Sequence, residues 1–215
     1  LRIPQLIELC RQKHMPAVAI TDTGNLFGAL EFAMAAAKAG IQPIIGCQIA
    51  LTVDEDPDTA RRGPNGGNHQ TRDGDHLVLL AQSETGYKNL LNIVSRSFVE
   101  MADDARPMVP IETLEGVTDG LIALSGGIAG LPGRLLGEGQ ADAAEAAMLH
   151  LAGLFPDRFY VEIQRHNIDA EDRLEAAFID LAYKHDLPLV ATNEAFFTDE
   201  AMYEAHDALL CISQS

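Results

Sequence analysis

The chain has 215 residues, of which 47% are hydrophobic, and it carries a formal net charge of −17. This length and apolar content suffice for one sizeable α/β domain, whereas so acidic a surface argues against direct nucleic-acid binding by this segment. No apolar run approaches the roughly 18 residues of a membrane-spanning helix, and no signal peptide opens the chain, so we expect no membrane association.

The three cysteines, Cys10, Cys47 and Cys211, lie far apart, each inside an apolar segment. An odd and scattered set fits neither a disulfide framework nor a zinc ribbon. The pattern is typical of buried thiols in a reducing compartment, and we expect the cytoplasm.

The first elements are predicted from apolar periodicity. Residues 4–14 are predicted as a helix and residues 18–21 as a buried strand. An alanine-rich helix over 28–39, ended by Gly40, precedes a strand over 41–53.

Residues 54–75 interrupt this pattern, because they contain almost no apolar residue. We predict a flexible surface loop or the tip of a hairpin here, and not a domain boundary. Beyond it, the pattern predicts strands over 76–82, 120–125, 159–164 and 187–192, and helices over 84–99, 140–153, 168–185 and 200–212, with a short helix after Pro110. Strands that alternate with helices in this way favour a parallel sheet with helices outside it.

A polar group stands at the end or the start of each predicted strand. In an α/β barrel such groups converge on one face, and converging carboxylates and imidazoles would suggest a metal site for phosphoester hydrolysis. The plausible charged ligands are Asp22, His76, Glu162, His166 and Glu194. This set is poor for two or three metal ions, because the other candidates (Thr23, Gln48 and Asn193) are neutral.

Each candidate also has a purely structural explanation. Asp22 and Asn25 could cap the helix that follows them. His76 could simply start its strand, and His166 could bond the backbone in the turn before a helix. Glu162 most needs a polar reason, because it lies between Val161 and Ile163 in a predicted strand.

Six motifs occur in an order that resembles one family closely. They are AITDTGNLFGALEF, AGIQPIIGCQIAL, HLVLLAQSETGYKNLLNIVS, LIALSGGIAG, FYVEIQRHN and LPLVATNEAFFTDEAMYEAHDALLCI. The resemblance is to the PHP (polymerase and histidinol phosphatase) domain at the N-terminus of bacterial DNA polymerase III alpha subunits. It implies that residues 1–215 form one α/β domain, a distorted seven-stranded barrel, whose first strand, with a His-x-His motif, would precede Leu1.

The resemblance also implies that metal ligands have been lost. Four positions carry other residues than the metal-binding members of the family: Thr23 and Phe196 stand in place of histidines, Gln48 in place of a glutamate, and Gly127 where a cysteine is often found. A vestigial site of low occupancy would remain at His76, Glu162, His166 and Glu194. Asp22 and Asn25 would then hold their loop together, and we expect no catalytic residue in the segment.

The function implied by the resemblance is that of a non-catalytic scaffold. The parent chain would be a DNA-directed DNA polymerase, a nucleotidyltransferase, with Mg²⁺-binding carboxylates downstream of Ser215. The segment would need no cofactor, would support the polymerase, which contacts the DNA, and would dock the proofreading exonuclease subunit. The alternative is an active metal-dependent phosphoesterase or 3′–5′ exonuclease with Zn²⁺ or Mn²⁺ at the four remaining positions.

Overall fold

A computed structural model describes residues 1–52, 74–100 and 107–213. Within these residues six strands form one sheet, and their spatial order follows their order in the chain. They are β1 (Ala17–Thr23), β2 (Gln42–Leu51), β3 (Asp75–Ala81), β4 (Leu121–Leu124), β5 (Phe159–Ile163) and β6 (Leu189–Ala191). All six predicted strands are confirmed, with ends that differ by at most two residues.

Seven α-helices accompany the strands in the described part of the chain. They are α1 (Ile3–Gln12), α2 (Ala29–Lys38), α3 (Glu84–Val99), α4 (Leu131–Gly137), α5 (Ala141–Leu154), α6 (Asp169–Lys184) and α7 (Tyr203–Ser213). Short 3₁₀ helices lie at Ile111–Leu114, Gly127–Ala129 and Glu200–Met202. The sequence did not predict α4, because seven residues that include Gly133 and Gly137 are too few and too glycine-rich to show a helical period.

The prediction of a parallel sheet is wrong at β3. This strand runs antiparallel to both β2 and β4, whereas β1 and β2, and likewise β4, β5 and β6, pair in parallel. Adjacent parallel strands need a crossover, usually a helix, and the sequence between β2 and β3 lacks the apolar period of one. The predicted loop over 54–75 lies outside the described residues except at its end, where Asp75 belongs to β3.

The reversal of β3 decides where the polar residues meet. Because β3 is antiparallel, His76 at its start pairs with Ala50 near the end of β2. On either side, Thr23 in β1 pairs with Gln48 in β2, and Glu162 in β5 pairs with Val190 in β6. One edge of the sheet, which we call the site edge, therefore collects the start of β3 and the ends of the other five strands.

Two apolar clusters hold the helices on the sheet. The larger joins the sheet to α3, α5 and α6 and includes the buried side chains of Leu79, Leu90, Met148, Phe155 and Phe178. The smaller joins α1 and α2 to the start of β2 through Ile7, Cys10, Phe32, Ala36 and Ile41. In the described residues, no helix combines the length and the apolar character that crossing a bilayer requires. The fold is therefore mixed α/β, with the six-stranded sheet behind the site edge.

Candidate functional site

Glu162 is the buried acid at the centre of the site edge, with only 3% of its surface exposed. Its Oε1 accepts a 2.5 Å hydrogen bond from the Thr192 hydroxyl, and its Oε2 accepts one of 3.0 Å from the backbone N–H of Gly126. Its own backbone N–H donates to Ser125 Oγ at 2.9 Å. One residue thus joins the ends of β4, β5 and β6.

The environment of Glu162 sets its protonation. Burial raises the pKa of the carboxyl group above its ordinary value, while the donors at Thr192 and Gly126 partly offset that rise. The negative charge of Glu194 raises the pKa further. Both carboxyl oxygens therefore have protein donors, in a place where negative charge is unfavourable.

Gln164 extends this network towards Gly127. Its amide Nε2 donates to Thr192 Oγ1 at 3.3 Å, so the hydroxyl accepts from Gln164 and donates to Glu162. A Cβ atom at Gly127, where φ is +56°, would lie 3.0 Å from Gln164 Oε1. The position at which the resemblance implies a cysteine thus faces the Gln164 side chain, which a larger residue would have to displace.

Gly126 is a glycine for two reasons. Its φ of +81° lies in the left-handed region, which other residues rarely adopt. A Cβ atom there would also clash with the backbone carbonyl oxygen of His76. In this conformation the Gly126 N–H donates to Glu162.

His166 lies between β5 and α6 and uses both of its ring nitrogens. Nδ1 is 2.8 Å from Glu171 Oε1, and Nε2 is 2.7 Å from Asn193 Oδ1. The backbone N–H of His166 also donates to Glu171 Oε2 at 2.6 Å. Two acceptors facing one ring suit an imidazolium that donates from both nitrogens, and such a ring has no lone pair for a metal ion.

The charges of this pair support the same assignment. The hydrogen bond to Glu171 raises the pKa of His166 above its ordinary value, against the effect of burial. Burial alone would raise the pKa of Glu171, but the donors of His166 outweigh it and the pKa is lowered. The pair therefore favours a charged histidine beside a charged glutamate.

His76 is engaged by a residue of β2. Its Nδ1 lies 3.1 Å from Gln48 Nε2, so the amide N–H can donate to the ring nitrogen. Gln48 stands where the resemblance implies a glutamate, and an amide is a weaker ligand for a divalent ion than a carboxylate.

The loop from β1 to α2 begins directly after Thr23, the last residue of β1 and a third position of an implied lost ligand. Asn25 stabilises this loop: its Nδ2 donates to the Thr23 carbonyl oxygen at 3.0 Å, and its Oδ1 accepts from the Phe27 N–H at 3.1 Å. Asp22 is exposed beside Gly28, where a Cβ atom would lie 3.2 Å from its Oδ2. The N-cap position of α2 is Gly28 and has no side-chain cap, so the suggestion that Asp22 or Asn25 caps this helix is wrong.

The loop after β6 offers one carboxylate and one aromatic ring. Glu194 is exposed and acts on Glu162 and His166 through its charge. Phe196 is 52% exposed and stacks on His206, with ring centroids 5.2 Å apart. A phenyl ring has no donor atom for a metal ion.

Sequence reasoning missed two pairs that support the site edge. Glu171 looked like one of several acids that favour a helix N-terminus, and its burial was the only sign of another role. The second pair is Asp75, buried at the start of β3, and Arg134 of α4, which contacts it through two hydrogen bonds of 2.7 and 3.0 Å. This ion pair fixes α4 to the residue before His76.

The donor set does not fit a cluster of catalytic metal ions. Throughout residues 1–52, 74–100 and 107–213, no three His, Cys, Asp or Glu side chains are grouped closely enough to hold a metal. The retained His76, Glu162 and His166 instead form hydrogen bonds within the protein. What this geometry can do chemically is tie strand ends together.

Comparisons with known proteins agree with the resemblance. The sequence matches the PHP domain family over residues 1–166. DNA polymerase III subunit alpha of Caulobacter vibrioides is 40% identical over 215 residues, which are 99% of this chain and 18% of that protein. DNA polymerase III subunit alpha of Thermus aquaticus is 36% identical over 198 residues, 92% of this chain and 16% of that protein. The chain thus spans less than a fifth of the length of these relatives.

One solved structure supports the fold alone. An amidohydrolase from Chromobacterium violaceum aligns with a TM-score of 0.50 at 15% sequence identity. The alignment covers 89% of this chain and 81% of that one.

Proposed function

The chain belongs to the PHP domain family, and from that premise we propose that residues 1–215 are a non-catalytic scaffold within a bacterial DNA polymerase III alpha subunit. The complete polypeptide would be a DNA-directed DNA polymerase, whose Mg²⁺-binding carboxylates lie outside these residues. The support for this is the match of nearly the whole chain to polymerase relatives that are several times longer.

One observation carries the scaffold role: three of the four retained metal-ligand positions, His76, Glu162 and His166, form hydrogen bonds within the protein. Glu162 is bonded by Thr192 and Gly126, and His166 by Glu171 and Asn193. The acids in these contacts, Glu162 and Glu171, are buried, and buried polar groups whose hydrogen bonds are satisfied make their surroundings rigid. We propose that these hydrogen bonds hold the strand ends of the site edge together, in the place that metal ions occupy in other members of the family.

The proposed barrel has a seventh strand, which comes from outside residues 1–215. In the described part of the chain, β1 pairs only with β2 and has a free edge on its other side. A free edge strand exposes unpaired backbone groups, and one further strand would satisfy them and close the sheet into the barrel of the family.

The proposed partners are the rest of the polypeptide and the proofreading exonuclease subunit, and for the exonuclease the support is the family resemblance alone. DNA would be bound by the rest of the polypeptide, since this segment carries a net charge of −17. The proposed compartment is the cytoplasm, where Cys10, Cys47 and Cys211, all free thiols, would remain reduced.

The rival function is a metal-dependent phosphoesterase. In its favour, His76, Glu162, His166 and Glu194 belong to the same edge of the sheet. Metal binding would require His166 to break its hydrogen bonds to both acceptors. It would also require Glu162 to break its hydrogen bonds with the Thr192 hydroxyl and the Gly126 N–H. Zn²⁺ or Mn²⁺ would be the expected ions.

The variant Glu162→Gln in the complete polypeptide separates the two functions. A glutamine keeps the size and one oxygen acceptor but removes the charge. For a scaffold, primer extension well below the unfolding temperature stays at the wild-type rate, and neither protein hydrolyses phosphodiesters at this site. For a phosphoesterase, the wild type shows hydrolysis that depends on Mn²⁺ or Zn²⁺, and the variant loses roughly ten- to hundredfold of it. Glu84→Gln, on the exposed face of α3, is the matched control.

A further inference from the structure

The outer face of α2 carries a row of exposed apolar side chains. Phe27, Leu30 and Met34, which we call the α2 stripe, are 91%, 73% and 67% exposed. Leu30 and Met34, four residues apart, lie on one side of the helix, and Phe27 directly precedes its N-cap, Gly28. Phe32 and Ala36 on the opposite side are buried. A solvated helix usually has a polar outer face, so an apolar stripe on both sides is typical of a helix that is covered on both sides.

The loop from β1 to α2 holds Phe27 in this exposed position. Leu26 packs against the larger apolar cluster, whereas the backbone N–H of Phe27 donates a hydrogen bond to Asn25 Oδ1. In this turn the side chain of Leu26 therefore points into the protein, whereas that of its neighbour Phe27 points into solvent. An almost fully exposed phenyl ring next to an exposed leucine and an exposed methionine marks a contact surface.

The charges beside the α2 stripe indicate what would complement it. Glu31 lies one turn after Phe27, and Asp22 lies beside Gly28 at the start of the helix. Neither carboxylate forms an ion pair with any other residue that the structure describes. A segment that covers the stripe would therefore be complementary if it carries apolar side chains flanked by Lys or Arg.

We propose that the α2 stripe is the surface on which a segment of the same polypeptide, outside residues 1–215, packs with apolar side chains flanked by Lys or Arg. This rests on the proposed function, in which the chain is part of a long polymerase subunit. In the relatives, more than four-fifths of the length lies outside the region that matches this chain. Permanent interfaces are the more hydrophobic ones, and the rest of the polypeptide is a permanent neighbour.

A second copy of the chain fits the α2 stripe less well. A two-fold interface places the same patch of both copies together, which would bring Glu31 close to its own counterpart. Each copy of the segment also carries a net charge of −17, so the approach of two copies is repulsive.

The test is site-specific photo-cross-linking in the complete purified polypeptide. A benzoylphenylalanine replaces Met34 in one sample and Lys88, a solvated residue of α3, in the control. We expect a cross-link within one polypeptide at position 34, to a peptide that lies outside residues 1–215 and contains Lys or Arg, and none at position 88. A cross-link to a second copy or to another protein, or no cross-link at position 34, would overturn the proposal.

A charge reversal at Glu31 tests the complementarity without touching the α2 stripe. In the polypeptide with benzoylphenylalanine at position 34, Glu31→Lys should lower the yield of the cross-link roughly tenfold, because like charges then meet across the interface. An unchanged yield contradicts the complementary charge. The outcome is independent of metal binding: failure to cross-link rejects the contact surface alone, whereas metal ions bound at the site edge reject the scaffold function.

Discussion

The Thr192 hydroxyl, directly after β6, donates a 2.5 Å hydrogen bond to the buried carboxyl group of Glu162 in β5. The two residues are 30 positions apart, and the parallel pairing of their strands brings them together. Through Gly126 the same carboxyl group reaches the end of β4. The site edge is thus cross-linked over three strands by hydrogen bonds.

Replacing Thr192 by valine should destabilise the protein. The side chain keeps its shape, but one oxygen of buried Glu162 loses its donor and Gln164 loses its acceptor. We expect the free energy of unfolding to fall by about 1–3 kcal/mol, measured by urea denaturation. Thr198→Val is the matched control, because its hydroxyl bonds the exposed Asp199. Equal losses in both variants would show that the bond to Glu162 adds nothing.

The raised pKa of Glu162 predicts a dependence of stability on pH. From the ordinary pKa of 4.5 up to the raised value, the folded protein holds a proton that the unfolded chain has lost. The contribution of Glu162 to the free energy of unfolding is therefore present at low pH and decreases as pH rises through this window.

The variant Glu162→Gln removes this titration. The difference in unfolding free energy between wild type and variant should shift in favour of the variant as pH rises from 4.5, in urea denaturation series at several pH values. A difference that is constant with pH would mean that the pKa of Glu162 is the same in the folded and unfolded states.

Replacing Gly126 by alanine should disrupt the network from the backbone. A positive φ is unfavourable for alanine, and its methyl group would also clash with the His76 carbonyl oxygen. Gly139→Ala is a matched control, since its φ of +77° is similar and nothing lies within 4 Å of its Cβ position. The Gly126 variant should lose about 2 kcal/mol more stability than the control. Thermal unfolding of both proteins makes the comparison, and similar losses would contradict the packing argument.

Replacing Arg134 by methionine should destabilise the protein, because it removes the ion pair with Asp75. The change leaves the Asp75 carboxylate buried without its charged partner, which costs about 3 kcal/mol or more. The control is Arg11→Met, which breaks an exposed pair with Glu8 and should cost far less, because solvent screens that pair. Urea denaturation measures the loss in unfolding free energy for both variants. Equal losses would mean that α4 does not need the ion pair to hold the start of β3.

The sequence pattern predicted most of the fold because the helices of this chain bury apolar residues at helical spacing and its strands are short apolar runs. It did not predict the direction of β3, which depends on how the chain returns, and it did not find α4, whose seven residues are shorter than two helical periods. In these cases the decisive information is the pairing of distant residues and not the local pattern.

The sequence named candidate residues at the site edge but could not predict the hydrogen bonds between them. Glu162 was recognisable because a charged residue stood between two apolar ones. Its partners Thr192 and Gly126 come from other strands, and only the register of the sheet brings them to it. Glu171 was hidden because an acid in the first turn of a helix is ordinary, so that only burial reveals its bond to His166.

The most direct test of the account is a count of bound metal ions in the complete polypeptide. The wild type and the variant His76→Ala, Glu194→Ala would be dialysed with Mn²⁺ and Zn²⁺, washed, and compared by mass spectrometry, so that ions bound by the rest of the polypeptide cancel. If the site edge is a hydrogen-bonded scaffold, the two proteins hold equal numbers of ions. If the wild type holds one or more tightly bound ions that the variant lacks, the site is a working metal centre and the scaffold account is wrong.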